Sequence, residues 1–250
     1  MEWYENFYTK AFIELCGFAT PEQTQREAAF VVKVLNITSE TKLLDLCCGY
    51  GRHAYEIAKL SHCNIIGVDW SNEYLAMAKE HYSTPEITYR KGDMRDLPFD
   101  GEFDAVINLF TSFGFFDTDV KNEQVIQEVC QALKPGGLFL LDYENKFWFV
   151  HNDVQRKQRF WQKKDSDTYH LIENTYDVMN EREVYAVTIL QRGTVVDQVG
   201  YSIRLYSLPE LRAILNRQGF ELVHVWGDYE GNSYSVDSKR LITLSRKVAL

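Results

Sequence analysis

The chain predicts an α/β fold: a mostly parallel sheet sandwiched by helices, with an antiparallel β meander inserted in its second half. Three observations predict it. Short strands that are apolar throughout alternate with amphipathic helices over about residues 24–143, and strands of that kind are buried on both faces, as in a parallel sheet covered by its crossover helices. From about residue 146 to 205 the alternation gives way to β-rich runs separated by turn residues. A capped helix and two strands then resume the first pattern.

The elements follow in order. Residues 24–35 read as a helix with Ala28, Val31, Val32 and Leu35 on one side. Residues 42–47 form a short apolar strand, closed by the turn Cys48-Gly49-Tyr50-Gly51, and a helix opens near Arg52 to bury Ala54, Ile57 and Ala58. Asn64–Asp69 is a second strand; Ser71 can cap the next helix, in which Tyr74, Leu75 and Ala78 share a face. Strands are expected at 87–90 and 103–109. The helix marked by Val125, Ile126, Val129, Ala132 and Leu133 should stop at Lys134-Pro135-Gly136-Gly137, before a fifth strand at 138–143. The runs 171–178, 184–190 and 195–205 read as the meander, split by Asn180-Glu181-Arg182 and Arg192-Gly193. Ser207-Leu208-Pro209-Glu210 is a capping box whose helix buries Leu211, Ile214 and Leu215 and ends at Gly219, ahead of strands at Phe220–Trp226 and 240–245. The expected organisation is a core of residues 1–147 plus 205–250 and an inserted β subdomain of 148–204.

Composition bounds the function. The 250 residues carry 27 Lys+Arg against 36 Asp+Glu, a net charge of −9. That balance argues against nucleic acid as a partner. With 45% apolar and 25% charged residues the chain is globular. No apolar run approaches a membrane span, and Met1 to Glu5 lacks the features of a signal peptide. Five cysteines without zinc-ligand spacing or a disulfide framework suit a reducing compartment, so a cytoplasmic protein without a metal is expected.

The strongest local signal is Asp45-Leu46-Cys47-Cys48-Gly49-Tyr50-Gly51-Arg52, between a strand and a helix. Glycines let a ligand approach the outward-pointing N–H groups of a helix N-terminus. Gly49-x-Gly51-x-x-Ala54 also satisfies the dinucleotide pattern, which leaves an NAD(P)-dependent oxidoreductase as an alternative. Asp45 separates the readings: a carboxylate there repels pyrophosphate but suits an ammonium or sulfonium group. Asp69 ends the next strand, where a ribose-binding acid belongs. Asp93 follows the third strand, placed to accept from an adenine amino group while Met94 packs on the ring.

Asp45-x-Cys47-x-Gly49-x-Gly51, Val68-Asp69-Trp70-Ser71, Gly92-Asp93-Met94, the strand Phe103-Asp104-Ala105-Val106 and the turn Leu133-Lys134-Pro135-Gly136-Gly137 lie in order over about residues 40–145. Together they resemble the class I S-adenosylmethionine-dependent methyltransferases, and the contexts around His53 and 112–116 resemble a bacterial small-molecule branch. The resemblance implies a Rossmann-like, seven-stranded sheet in which only the last strand is antiparallel. It also implies S-adenosyl-L-methionine across the strands' C-terminal ends: Asp45, Cys47, Gly49 and Gly51 about the methionine moiety, Asp69 on the ribose, Trp70, Asp93 and Met94 about the adenine, and Asn108 beside the methionine part. Tyr4, Phe7 and Tyr8 resemble the aromatic lid of related enzymes, with Tyr8 against the cofactor; a helix packing its aromatic face on the sheet is the equal alternative. A non-catalytic cofactor-binding protein remains a further alternative.

In-line methyl transfer draws most of its acceleration from alignment, so a general base is optional and no catalytic residue is assigned. His53 reads either as a base or as a hydrogen-bonding loop residue. Cys47 and Cys48 lack partners for metal binding or nucleophilic chemistry. The acceptor, a small molecule methylated at nitrogen or oxygen, is expected to meet Phe113, Tyr143 and Arg204. Arg156, Lys157, Arg159, Lys163 and Lys164 form a basic run, read as a solvated helix face or an attractor of anions. Exposed strand edges in the insertion leave monomer and homodimer both open.

Overall fold

The computed structural model describes residues 19–156 and 159–248. Helices run over Pro21–Leu35 (α1), Arg52–Ser61 (α2), Asn72–His81 (α3), Asp119–Ala132 (α4), Lys146–Arg156 (α5) and Leu208–Arg217 (α6). Strands are Lys42–Leu46 (β1), Asn64–Asp69 (β2), Ile87–Lys91 (β3), Phe103–Asn108 (β4), Leu133–Glu144 (β5), Arg159–Lys163 (β6), Thr168–Asp177 (β7), Arg182–Gln191 (β8), Thr194–Arg204 (β9), Phe220–Trp226 (β10) and Arg240–Lys247 (β11).

Seven strands make one sheet in the order β10-β11-β5-β4-β1-β2-β3. β1 pairs in parallel with β2 and β4, while β11 runs antiparallel to both β5 and β10. The last strand is thus the reversed one, and the architecture is Rossmann-like. The apolar strands fill both faces. Leu44, Leu46 and Val106 pack with α4 and α6 through Val125, Ile126, Leu211 and Ile214. Leu43, Ile65 and Ile107 pack with α1 and α2 through Ala28, Val31, Ala54 and Ile57. By the two-residue period of a strand, Asp45 shares the face of Leu43 and points toward α1 and α2.

A second, antiparallel sheet of order β6-β7-β8-β9 follows β5. Two features of residues 146–163 differ from the sequence reading. A helix, α5, precedes the β-rich runs, and a fourth strand, β6, joins them. Asn145 starts α5 by accepting the Phe147 amide at 3.1 Å, and Phe149 is buried. The basic run therefore does not form one helix face: Arg159 and Lys163 lie on β6, where Arg159 pairs with Glu173 at 2.5 Å. β5 also begins earlier than expected, at Leu133, so that Lys134-Pro135-Gly136-Gly137 is taken into the strand beside an irregularity in its pairing with β4. Among the described residues no helix is long and apolar enough to cross a membrane, and no group of His, Cys, Asp or Glu could hold a metal ion.

Candidate active site at the strand ends

The strand order sets out five residues in a row along the C-terminal edge: Asp93 after β3, Asp69 on β2, Asp45 on β1, Asn108 on β4 and Asp142 on β5. A cleft of about 460 Å³ opens over this row, within the usual range of small-molecule sites. Asp45, Cys47, Gly49, Asp69, Trp70, Asp93 and Met94 line it, so the structure brings together seven of the residues singled out in the sequence.

Each acid sits in a different environment. Asp69 accepts the Gly49 amide and the Ser71 amide, each at 2.8 Å, which fixes the glycine loop over the end of β2. Burial raises its pKa, and those two amides oppose the rise. Asp93 is engaged by Arg95, whose guanidinium reaches it at 2.6 Å and whose amide reaches it at 2.9 Å. Burial would raise Asp93, but Arg95 outweighs it and holds the carboxyl below the usual carboxylate range. Asp45 differs from both. Its Oδ2 is buried without a hydrogen-bond partner. Burial, together with the nearby Asp69 charge, pushes its pKa up to about 7.

Glycine is required in this loop. Gly51 caps α2 at φ +86°, and a Cβ there would run into the ring of Tyr89, 2.8 Å from its Cζ. Gly51 shapes the loop without lining the cleft. The Cys47 and Met94 sulfurs meet at 3.5 Å, linking the loop to the segment after β3.

Toward β4 and β5 the cleft is bounded by residues the sequence reading did not assign to ligand binding: Gln23, Arg52, Phe110, Thr111 and Ser112. Glu27 of α1 accepts from Arg52 at 2.5 Å, from the His53 Nε2 at 2.8 Å and from Gln23 at 2.8 Å. Burial would raise Glu27, but the His53 hydrogen bond and the Arg52 charge hold it at about 2. His53 thus lies in the first turn of α2, in a buried network, and not in a loop. Phe110 and Thr111 both have left-handed backbone, φ +59° and +58°, an uncommon state for a bulky residue. Asp142 pins this turn, accepting the Phe110 amide at 2.8 Å, and also binds Arg240 at 2.7 Å and the Tyr229 hydroxyl at 2.7 Å. Phe110, 59% exposed, carries the Arg52 guanidinium 5.2 Å and the Arg240 guanidinium 5.7 Å from its ring centre.

Besides Gly51, four residues named from the sequence are placed away from the cleft lining. Phe113 is buried against Tyr143 and Tyr206. The Tyr143 hydroxyl is buried on the Arg204 carbonyl oxygen. Arg204 is held by Glu181 at 2.7 Å and Glu210 at 2.8 Å. Asn108 lies beneath the surface, donating to the Leu46 carbonyl at 3.1 Å. The first three support the walls of the cleft from behind: Phe115 and Phe116 of the same loop do line it. Tyr4, Phe7 and Tyr8 lie outside the described residues. No sequence signal marks the Glu27 network, because Arg52 and His53 lie 25 and 26 residues from Glu27 along the chain. Phe110 and Thr111 left a weaker one, since they directly follow an apolar strand.

The chain is similar to known methyltransferases in sequence and fold. Residues 43–137 match a methyltransferase domain model. A relative from Synechocystis, described as an uncharacterized methyltransferase, is 32% identical over 167 residues, covering 63% of this chain and 76% of that protein. The solved CcbJ methyltransferase of Streptomyces caelestis superposes with a TM-score of 0.79 at 20% identity, over 98% of this chain and 99% of the other. The S-adenosylmethionine-bound CalS10, an amino pentose methyltransferase from Micromonospora echinaspora, does so with a TM-score of 0.68 at 20% identity, over 96% of each chain.

Proposed function

Since the chain belongs to the class I S-adenosylmethionine-dependent methyltransferases, with S-adenosylmethionine as cofactor, we propose that it methylates nitrogen or oxygen of a small-molecule acceptor. The observation that carries the reading is the buried, unpartnered Oδ2 of Asp45 in the cleft. An orphaned carboxylate is costly unless a cation completes it, and the cofactor's ammonium group is such a cation. Bound there, the cofactor supplies an activated methyl group on a sulfonium that leaves as a neutral thioether.

The remaining assignments follow the order of the strands. Asp69 takes the ribose hydroxyls on the lone pairs left free by the two loop amides. Trp70, Asp93 and Met94 hold the adenine. The Cys47–Gly49 turn borders the methionine part, and Asn108 supports that turn from below. The acceptor then approaches over β4 and β5, beside Phe110, Thr111 and His53. Both arginines on that side are matched by an acid, Arg52 by Glu27 and Arg240 by Asp142. A neutral hydroxyl or amine suits such a wall better than an anion does. The amino pentose of the Micromonospora enzyme is an acceptor of that kind.

Calorimetric titration tests the reading, with S-adenosylhomocysteine set beside NADH on the wild type and Asp69→Ala. Micromolar S-adenosylhomocysteine affinity that weakens at least about tenfold in the variant is expected, the loss of a charge-assisted hydrogen-bond pair. NADH binding without an S-adenosylhomocysteine signal would overturn it. Release of S-adenosylhomocysteine with a panel of amino sugars and phenols then separates nitrogen from oxygen acceptors.

A further inference from the structure

Of the residues on the acceptor side of the cleft, His53 has a use beyond packing. Its Nε2 contacts Glu27, while its Nδ1 has no hydrogen bond among the described residues and is not fully shut off from solvent. The side chain also lines the cleft. Glu27 is an ionised carboxylate, which can only accept, so the proton of the neutral imidazole must sit on Nε2. Nδ1 is then left as a lone pair. Burial and the neighbouring Arg52 charge lower the His53 pKa against the opposing pull of Glu27, which keeps that lone pair free at neutral pH.

The position fits as well as the protonation. The row of strand ends runs from Asp93 through Asp69 and Asp45 to Asp142, and Asp142 is near enough to His53 to bias its charge. His53 therefore stands on the acceptor side of Asp45, across from the ribose and adenine residues. We infer that His53, oriented by Glu27, is the general base that removes the acceptor's proton.

The inference rests on the proposed methyl transfer. As the acceptor's heteroatom gains its methyl group, the bond to its hydrogen breaks and the electron pair stays on the heteroatom. The proton passes to Nδ1 of His53, and the resulting imidazolium is stabilised through Nε2 by Glu27. A base is needed for a hydroxyl, or for an amine that arrives carrying its extra proton.

Two cofactor analogues test this without a known acceptor. Sinefungin carries an amine-bearing carbon in place of the methylated sulfur; S-adenosylhomocysteine has no group there. Its ammonium N–H groups reach into the space of the incoming heteroatom, where a base would accept from them. Both analogues share the amino-acid and adenosine parts, and the extra charge of sinefungin feels Asp45 alike in the wild type and in His53→Gln, so Asp45 cancels when the ratio of the two affinities is compared between the proteins. At pH 8 the wild type is expected to prefer sinefungin by about tenfold more than His53→Gln does. The substitution should leave S-adenosylhomocysteine affinity within about twofold of wild type.

A second measurement repeats the comparison across pH. The difference between wild type and His53→Gln should hold at pH 7 and vanish as His53 becomes protonated below the usual histidine range. The charged groups that set this titration are Glu27 on α1, Arg52 on α2, Asp142 on β5 and Arg240 on β11, which is bound to Asp142. An affinity ratio that the substitution leaves unmoved at every pH would overturn the base and leave His53 a packing residue. Failure of both analogues to bind would sink the cofactor assignment itself.

Discussion

At Asp45, function and stability pull in opposite directions. Its carboxyl sits at about 7 in the folded protein against an ordinary 3.8. Between about pH 4 and 7 the folded chain therefore holds a proton that the unfolded chain has released. The contribution of this group to stability falls as pH rises through that window, and the penalty is complete above about 7. Asp45→Asn should accordingly raise the melting temperature at pH 8 by several degrees and leave it unchanged near pH 4, as read by differential scanning calorimetry. The same substitution should cost at least about tenfold in S-adenosylhomocysteine affinity. Wild-type affinity should itself fall as pH drops below 7, because the ammonium needs the ionised form. The place of this acid at the cleft was legible in the sequence, since it ends a strand ahead of a glycine turn. Glu27 and Arg52 were not legible: each is an ordinary charged helix residue until α1 and α2 are packed together.

At the level of elements, the regular α/β half could be read because each strand is apolar throughout and each helix keeps a 3.6-residue period. Helix α5 escaped because its start depends on Asn145, whose contacts are mostly distant. Its side-chain amide donates to the carbonyl oxygens of Ser235 at 3.0 Å and Ser238 at 2.7 Å, while its Oδ1 accepts the Phe147 amide. One residue thus caps α5 and fastens the loop between β10 and β11. Asn145→Ala is expected to destabilise the protein by about 2 kcal/mol, the size of a lost cap plus unsatisfied buried groups. The readout is a lower urea midpoint with an unchanged slope. β6 escaped for a related reason: its five residues, Arg-Phe-Trp-Gln-Lys, carry no apolar–polar alternation, and it pairs as a strand along the edge that β7 offers.

Across the whole molecule, the second sheet is joined to the cleft by charged side chains. Arg182 donates to the Phe116 carbonyl at 2.9 Å, and Arg204 links Glu181 to Glu210 across the junction with α6. Arg204→Ala should lower stability by roughly 1–2 kcal/mol, between the cost of breaking a buried ion pair and an exposed one, because Arg204 is largely buried but Glu181 and Glu210 are partly in solvent. It should change S-adenosylhomocysteine affinity by less than about twofold, which thermal melts with and without that ligand would separate. The sequence could not place Arg204, because alternation along a strand shows which residues share a face but not what the face meets. Of the four carboxylates along the strand ends, Asp93 and Asp142 are matched by Arg95 and Arg240, and the field of the other two, Asp45 and Asp69, has a consequence for turnover. Their field favours a ligand with one positive charge more than the one that remains after reaction, since transfer turns a sulfonium into a neutral thioether. The cleft therefore attracts the methyl donor more strongly than its demethylated residue, and product inhibition is weakened by electrostatics alone.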